Sequence, residues 1–402
     1  MSKLDELIKE LCPNGVEYKK IKDCFNRLKG TPITAGKMKE IENENGEIRV
    51  FAGGKTVINA KEEDIPNANI TRVPAVLVQS RGVIDVVYFE SPFTFKNEMW
   101  AYTHDEKTTV KYLFYILKNN IQSFRDSASG MGSLPQISLM VTEDFIIPLP
   151  PLPVQEEIVR ILDNFTELTA ELTAELTARK KQYKFYRDNL LLRANNIPMF
   201  PLKTVVKKSC SGGTPTKGNS SYYVNGTVPW LRTQDVRFNN IYEIDSFITE
   251  EAVAKTSAKW IPSNCVIIAI SGATAGRCAI NKIPTTTNQH CLNLEIDDSK
   301  ALYKYVFYCV CSQYEELLSK KQGARGDLNS SLVLEIKIPI PYPDDVEKSL
   351  AEQQRIVDIL DRFDTLCNDI SSGLPAEIKA RQQQYEYYRD KLLTFPKTEL
   401  EV

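Results

Sequence analysis

Two stretches of this chain are near-copies of two others, and that duplication constrains the possible folds more than any other feature. QEEIVRILDNF at 155–165 returns as QQRIVDILDRF at 353–363, an offset of 198 residues. ARKKQYKFYRDNLL at 178–191 returns as ARQQQYEYYRDKLL at 380–393, an offset of 202, so the later copy holds four extra residues between its blocks. Self-similarity at a fixed period means that a structural unit is built twice. Proline-rich lead-ins, IPLPPLP at 147–153 and IPIPYP at 338–343, precede both copies. Their prolines hold the backbone extended and delay each helix start.

Fainter similarity runs upstream. YLFYIL at 112–117 matches YVFYCV at 305–310, and Gly130 and Leu139 match Gly323 and Leu332, all at offset 193. AVLVQSRGVIDVVYF at 75–89 resembles VIIAISGATAGRCAI at 266–280; each reads as apolar strand, turn, apolar strand. The expected fold is α/β in the mixed α+β sense: two domains of strands and helices, each followed by a long helix. The expected division is 1–150, a helix over 151–194, 195–345, and a closing helix over 346–402. Leu4, Leu7, Ile8 and Leu11 form one apolar helical stripe ended by Pro13, Asn14 and Gly15. That amino-terminal segment stands to the second long helix as the chain after 190 stands to the first. The two ends are therefore expected to meet, in a circular arrangement with a pseudo-twofold axis.

In the first long helix Ile158, Phe165, Leu172 and Tyr186 fall at heptad position a, and Leu162, Leu176, Tyr183 and Leu190 at d; Thr169 and Arg179 interrupt. Ile356, Leu360, Phe363, Cys367 and Ile370 continue the pattern in the second, and Ile378, Tyr385, Tyr388 and Leu392 resume it beyond SSGLP at 371–375. Such a stripe buries a narrow seam against a partner helix, and the natural partner is the other copy, antiparallel. Independent amphipathic helices lying on their own domains are the alternative. Phe185 and Tyr387 add rings beyond what one seam holds, so some aromatic surface must face another body. Within the first helix TAEL occurs twice, at 169–172 and 173–176, after a degenerate copy. Four residues advance a helix by about 6 Å and turn it about 40° past a full turn. A coiled coil absorbs such an insertion as a stutter. The unit is then either a length-adjusting element or a solvated run of good helix formers.

Composition narrows the function. The 402 residues carry a net charge of −2, so nucleic-acid binding must come from local basic patches. Nine cysteines without a CxxC pair, no signal peptide and no long apolar run fit a cytoplasmic chain with reduced thiols and no membrane contact. RVFAGGKT at 49–56 ends like a phosphate loop but has Arg49 where the first glycine belongs. With only His104 and His290 available, neither a Ser-His-Asp triad nor a zinc site is indicated, and no residue is assigned to catalysis, a cofactor or a metal. Basic, amide- and glycine-rich loops occur instead, and in both halves. In the first, Lys29, Lys37, Lys39, Arg81, Lys96, Asn97, Arg125 and Gln136 are candidate DNA contacts. In the second they are Lys207, Lys208, Lys217, Arg232, Gln234, Arg237, Arg325 and Asn329. Backbone N–H groups, hydroxyls and lysines suit phosphates, whereas arginine reads guanine and glutamine or asparagine reads adenine.

The paired blocks at 155–165 with 178–191 and 353–363 with 380–393, and the opening LCPNGVEYKKI at 11–21, make the chain resemble the specificity subunits of type I restriction-modification systems along essentially its whole length. The resemblance implies two target-recognition domains, each reading half of a bipartite double-stranded DNA site. It implies conserved helices that pair antiparallel, set the spacing through TAEL repeats and dock other subunits. Two methyltransferase (M) subunits carrying S-adenosylmethionine and restriction (R) subunits using ATP and Mg2+ would supply the chemistry, leaving this chain without cofactors. Ile158, Leu162, Phe165, Leu172, Leu176, Tyr183, Tyr186, Ile356, Leu360, Phe363, Ile370, Tyr385 and Tyr388 would serve the helical pairing and docking. A free-standing DNA-binding regulator and a protein-interaction scaffold are the alternatives. SSGLP at 371–375 departs from the helical pattern and implies a kink or break, with Pro375 tolerated in the first turn of a restarted helix.

Overall fold

A computed structural model describes residues 2–54, 56–130, 134–191, 197–321, 327–369 and 371–397. The chain divides into two units, each discontinuous or bounded within a helix: Met1–Leu172 with Ile378–Val402, and Thr173–Glu377.

In the first unit Ala75–Gln79 sits inside a four-stranded sheet, between Trp100–Thr103 and Asp85–Phe89, with Asn26–Lys29 beyond Trp100–Thr103. Alternating side chains of a strand face opposite ways, and this strand divides its apolar residues between two cores. Val76 and Val78 pack with Tyr112, Leu113, Ile116 and Leu117 of the domain helix Lys107–Asn119. Ala75 and Leu77 pack with Phe51, Phe93 and Phe95 of a three-stranded sheet. A two-stranded ribbon pairs Glu17–Lys20 with Ile146–Leu149.

The second unit repeats the plan. Val266–Ala269 lies between Cys291–Ile296 and Cys278–Asn281 in a five-stranded sheet. Val266 and Ile268 face the domain helix Tyr303–Ser312, while Ile267 and Ala269 face Leu231, Ile241 and Ile261. Met199–Pro201 pairs with Lys337–Pro339, as Glu17–Lys20 pairs with Ile146–Leu149.

The central helix runs unbroken from Leu152 to Leu191. Its partner is two helices, Val346–Asn368 and Leu374–Leu392. The break is built, not frayed. Asp369 accepts from the Ser371 amide at 2.7 Å and from the Ser371 and Ser372 hydroxyls at 2.6 Å. Those hydroxyls, helped by the backbone N–H, pull the Asp369 carboxyl down to about 2. A Cβ on Gly373 would lie 2.4 Å from the Thr365 carbonyl, so only glycine fits. The four residues that lengthen the later copy are thus accommodated by a turn rather than by extra helix.

Helix contacts differ along the stripe. Ile158 and Leu162 are fully buried in the first unit's core, and Ile356 and Leu360 in the second's, so these heptad positions bind each helix to its own domain. Aromatic rings make the contacts between helices: Phe165 stacks on Tyr388 at 5.8 Å and meets Tyr385 at 6.3 Å, both inside the first unit. In the second unit Phe363 stacks on Tyr186 at 5.6 Å and Tyr183 at 6.1 Å. Leu172 is buried and Leu176 half-buried, whereas Ile370 lies outside the described residues.

The chain ends meet, as expected. Val16 bridges Lys397, the Tyr18 hydroxyl donates to the Phe395 carbonyl at 2.7 Å, and Leu4, Leu393 and Phe395 share one core. The amino-terminal helix Lys3–Leu11 is also tied to the central helix: Glu157 accepts from Lys3 at 3.1 Å and from Arg160 at 2.5 and 3.0 Å. Arg160 foremost, then Lys3, draw the Glu157 carboxyl from 4.5 to about 2 against the opposing effect of burial. A carboxylate with a depressed folded pKa stabilises above its unfolded value and loses that contribution as pH falls toward the folded one. Glu157→Gln should therefore lower the melting midpoint by about 2–4 °C at pH 7. The gap to the unaltered chain should close as pH falls from 4.5 toward 2 in paired thermal melts.

Candidate nucleic-acid interface

In each unit two parallel strands end side by side and release loops that carry Lys96 and Asn97 in the first and Arg232 and Gln234 in the second. In the first, Ile48–Phe51 runs parallel to Phe93–Phe95, releasing Ala52–Gly54 and Lys96–Glu98. In the second, Val228–Leu231 runs parallel to Thr285–Thr287, releasing Arg232–Asp235 and Asn288–His290. A glycine passes beneath each pair. The Thr31 amide donates to the Phe95 carbonyl at 2.7 Å, and the Gly213 amide to the Thr287 carbonyl at 2.8 Å. A Cβ on Gly30 would lie 2.2 Å from the Phe95 oxygen, and one on Gly212 1.9 Å from the Thr287 oxygen. This explains Gly30 and Gly212, each just before the donating amide: the backbone must approach the strand ends too closely for a side chain.

The first unit gathers Lys39, Arg81 and Lys96 around one cleft with Gly53 and Gly54. Arg81 stands exposed on a fixed turn. Its carbonyl accepts from the Gly54 amide at 3.2 Å, and Gly82, at φ +79°, donates to the Pro135 carbonyl at 2.9 Å. Gln136 pairs through its backbone with Ser129 and bridges Arg81, which brings it to the same rim. Lys96 is balanced by Glu98 at 2.8 Å. Lys29 and Asn97 line a neighbouring cleft with Arg27 and Trp100. Lys37 pairs with Glu40 at 2.8 Å, and Arg125 donates to the Ile84 carbonyl at 3.0 Å.

In the second unit the Arg232 guanidinium lies over Trp230 at 5.9 Å, and its Nε is shut off from solvent without a hydrogen-bond partner. The Arg232 amide donates to Asp235 at 2.9 Å, fixing the loop. Gln234 is exposed and its carbonyl accepts from Arg237 Nε at 2.8 Å. Lys207 pairs with Glu295 at 2.8 Å; Lys208 and Lys217 are exposed. Asn329 accepts from the Ser331 amide at 2.8 Å and caps a short helix. Arg325 lies outside the described residues.

Two features escape sequence reading. Aligning 75–89 with 266–280 residue for residue puts Ala75 against Val266, one residue out of register, which swaps the faces of the strand. The hydrogen bonds give the true match. Ile137 donates to the Ser80 carbonyl at 3.0 Å and Leu328 to that of Ile270 at 2.8 Å, so Arg81 corresponds to Ser271 and Gly82 to Gly272, at φ +72°. Ser271 donates to Asp327 at 2.6 Å. The second feature is the rim formed by Thr214, Gln289 and His290. The Thr214 hydroxyl donates to Gln289, whose amide nitrogen lies 3.2 Å from His290 Nε2. Its only signal in the sequence is position, directly after the strand Thr285–Thr287. Among the described residues no group of three or more His, Cys, Asp or Glu could hold a metal ion, and no helix is long and apolar enough to cross a membrane.

In each unit cations, amides and hydroxyls thus gather on loops at the ends of two parallel strands. The family model for the type I restriction modification DNA specificity domain matches twice, at 13–179 and 196–380. The chain belongs to that family. It is 40% identical over 306 residues to the EcoR124I/EcoR124II specificity subunit of Escherichia coli, covering 73% of each chain. It is 31% identical over 322 residues to the putative specificity subunit S.HindORF215P of Haemophilus influenzae, covering 74% of this chain and 77% of the relative. The fold resembles the crystal structure of the type I restriction-modification S subunit from M. genitalium, with a TM-score of 0.61 at 15% identity over 94% of this chain and 96% of that one.

Proposed function

We propose that this chain is the non-catalytic specificity subunit of a type I restriction-modification complex and reads a bipartite double-stranded DNA site. The observation that carries this is the loop cluster at the ends of two parallel strands, built once per unit around different side chains. Each cluster takes one half-site: Lys39, Arg81, Lys96 and Gln136 in the first, Arg232, Gln234 and Gln289 in the second. The remaining basic candidates, Lys29, Lys37, Arg125, Lys207, Lys208, Lys217, Arg237 and Arg325, hold phosphates, with Asn97 and Asn329 on the loop margins. The readers occupy 1–150 and 195–345, with helices over 151–194 and 346–402 as spacer. Exposed Phe185 and Tyr387, at equivalent places, offer apolar surface to two methyltransferase subunits. Those subunits supply S-adenosylmethionine chemistry, and restriction subunits supply ATP- and Mg2+-dependent steps, within the cytoplasm. Genome-wide adenine methylation with and without this gene tests the reading in a host with the partner methyltransferase. One bipartite methylated motif should vanish on deletion. If every motif persists, the chain is a regulator or scaffold instead.

A further inference from the structure

The same three-residue clamp joins domain helix to long helix in both units. Asp163 accepts the Tyr115 hydroxyl on Oδ1 at 2.5 Å and the Lys111 ammonium on Oδ2 at 2.8 Å. Asp361 accepts Tyr308 on Oδ1 at 2.6 Å and Lys304 on Oδ2 at 2.5 Å. In both units the tyrosine and the lysine take separate oxygens of the one carboxylate. One helical turn away the Tyr112 hydroxyl donates to the Pro148 carbonyl at 3.2 Å, and that of Tyr305 to the Pro339 carbonyl at 3.0 Å. The tyrosine and lysine pairs stand 193 residues apart and the aspartates 198, so intervening loops changed length while the bonds persisted.

Stability alone does not account for this duplication. The side chains of the Lys111–Asp163 and Lys304–Asp361 pairs are 27–35% exposed, and such ion pairs contribute little to folding. Adhesion is already provided by Ile158 and Leu162 in one unit and Ile356 and Leu360 in the other. Apolar contact is non-directional and lets a domain rock on a helix; charge-assisted hydrogen bonds fix angle and height. Burial first, and then the neighbouring carboxylate, push the Tyr115 and Tyr308 hydroxyls up, so both remain donors.

We infer that the Lys111–Tyr115–Asp163 and Lys304–Tyr308–Asp361 clamps are positioning devices that set each reader's angle on the helix and so make the complex selective for one spacer length. The inference rests on the specificity-subunit reading above. The test uses the full complex with its methyltransferase, acting on DNA in which the two half-sites are separated by the native spacer and by one or two base pairs more or fewer. Tyr115→Phe and Tyr308→Phe each remove one oxygen and keep the ring packed; Asp163→Asn and Asp361→Asn weaken both bonds. Expected is native-spacer methylation within about twofold of the unaltered complex, with methylation at spacers one base pair off rising on the order of tenfold in proportion. The half-site bases should not change. Exchanging the charges, Lys111→Asp with Asp163→Lys, should restore much of the selectivity lost in Asp163→Asn. Unchanged spacer selectivity in all the single variants overturns the inference alone, as does loss of methylation at every spacing in a Tyr→Phe variant with an unaltered melting curve. No bipartite methylation by the unaltered complex overturns the specificity-subunit reading and this inference with it.

Discussion

Deleting Thr169–Leu172 should leave both half-sites of the methylated motif intact and shorten the spacer between them by about one base pair. Removing four residues withdraws about 6 Å of helix and turns the downstream part by about 40°. The turn is close to the twist of one base pair, roughly 34–36° at 10–10.5 base pairs per turn. The helix tolerates the change because successive TAEL units repeat the same local bonds and the same leucine spacing. Thr169 and Thr177 return their hydroxyls to the carbonyls four residues back, at 2.8 and 2.9 Å, and the covered leucines, Leu168, Leu172 and Leu176, recur every four residues. After deletion another leucine of the series takes the vacated place. Removing only Thr169–Glu171 should instead rotate the remainder by about 60° the other way, carry the stripe off its seam and lower methylation at every spacing. Sequencing of modified adenines in cells carrying each variant distinguishes the outcomes. Changed half-site bases in the four-residue deletion would contradict the spacer role of the repeat.

Local periodicity made much of this architecture legible. The heptad stripe located the helices, the apolar runs at 75–89 and 266–280 located the hairpins, and the duplicated blocks required two like units whose ends meet. Reading failed where the deciding contact was remote. Parallel pairing of Ile48–Phe51 with Phe93–Phe95 gathers Lys39, Arg81 and Lys96, which are far apart in sequence and share no pattern. A one-residue slip hid the match of Arg81 with Ser271, because an apolar run buried on both faces carries no parity signal. SSGLP after Asp369 implied a break, which the structure has between Asn368 and Leu374, and the close approach of Gly373 to Thr365 shows how the turn is built. The Tyr–Asp–Lys clamps are present in the repeats as KYLFY with ILD and KYVFY with ILD. Their charged and hydroxyl members carry no weight in an apolar periodicity, so spacing alone does not reveal them.

Arg81→Ala and Arg232→Ala should each relax one base position, in different halves of the site. Arg81 projects from a turn held by Gly54 and Pro135, and Arg232 lies over Trp230 on a loop held by Asp235. A guanidinium held this way can address the O6 and N7 edge of guanine with both branches of its fork, and losing such a pair costs about 1–3 kcal/mol of discrimination. Methylation at the preferred base should then fall roughly 5- to 150-fold relative to its competitors, with the opposite half-site unaffected. Arg232→Ala also relieves the solvent-excluded Nε that has no partner in the free chain, so its loss should not lower the melting midpoint. Arg→Lys separates base reading from phosphate binding, since lysine keeps the charge and loses the fork. A base reader loses selectivity in the Lys variant almost as fully as in the Ala variant. A phosphate contact keeps its selectivity in both variants, and in Ala weakens binding uniformly with a shallower salt dependence. Arg81 and Arg232 are base readers only if the first pattern appears and the relaxed positions map to opposite half-sites.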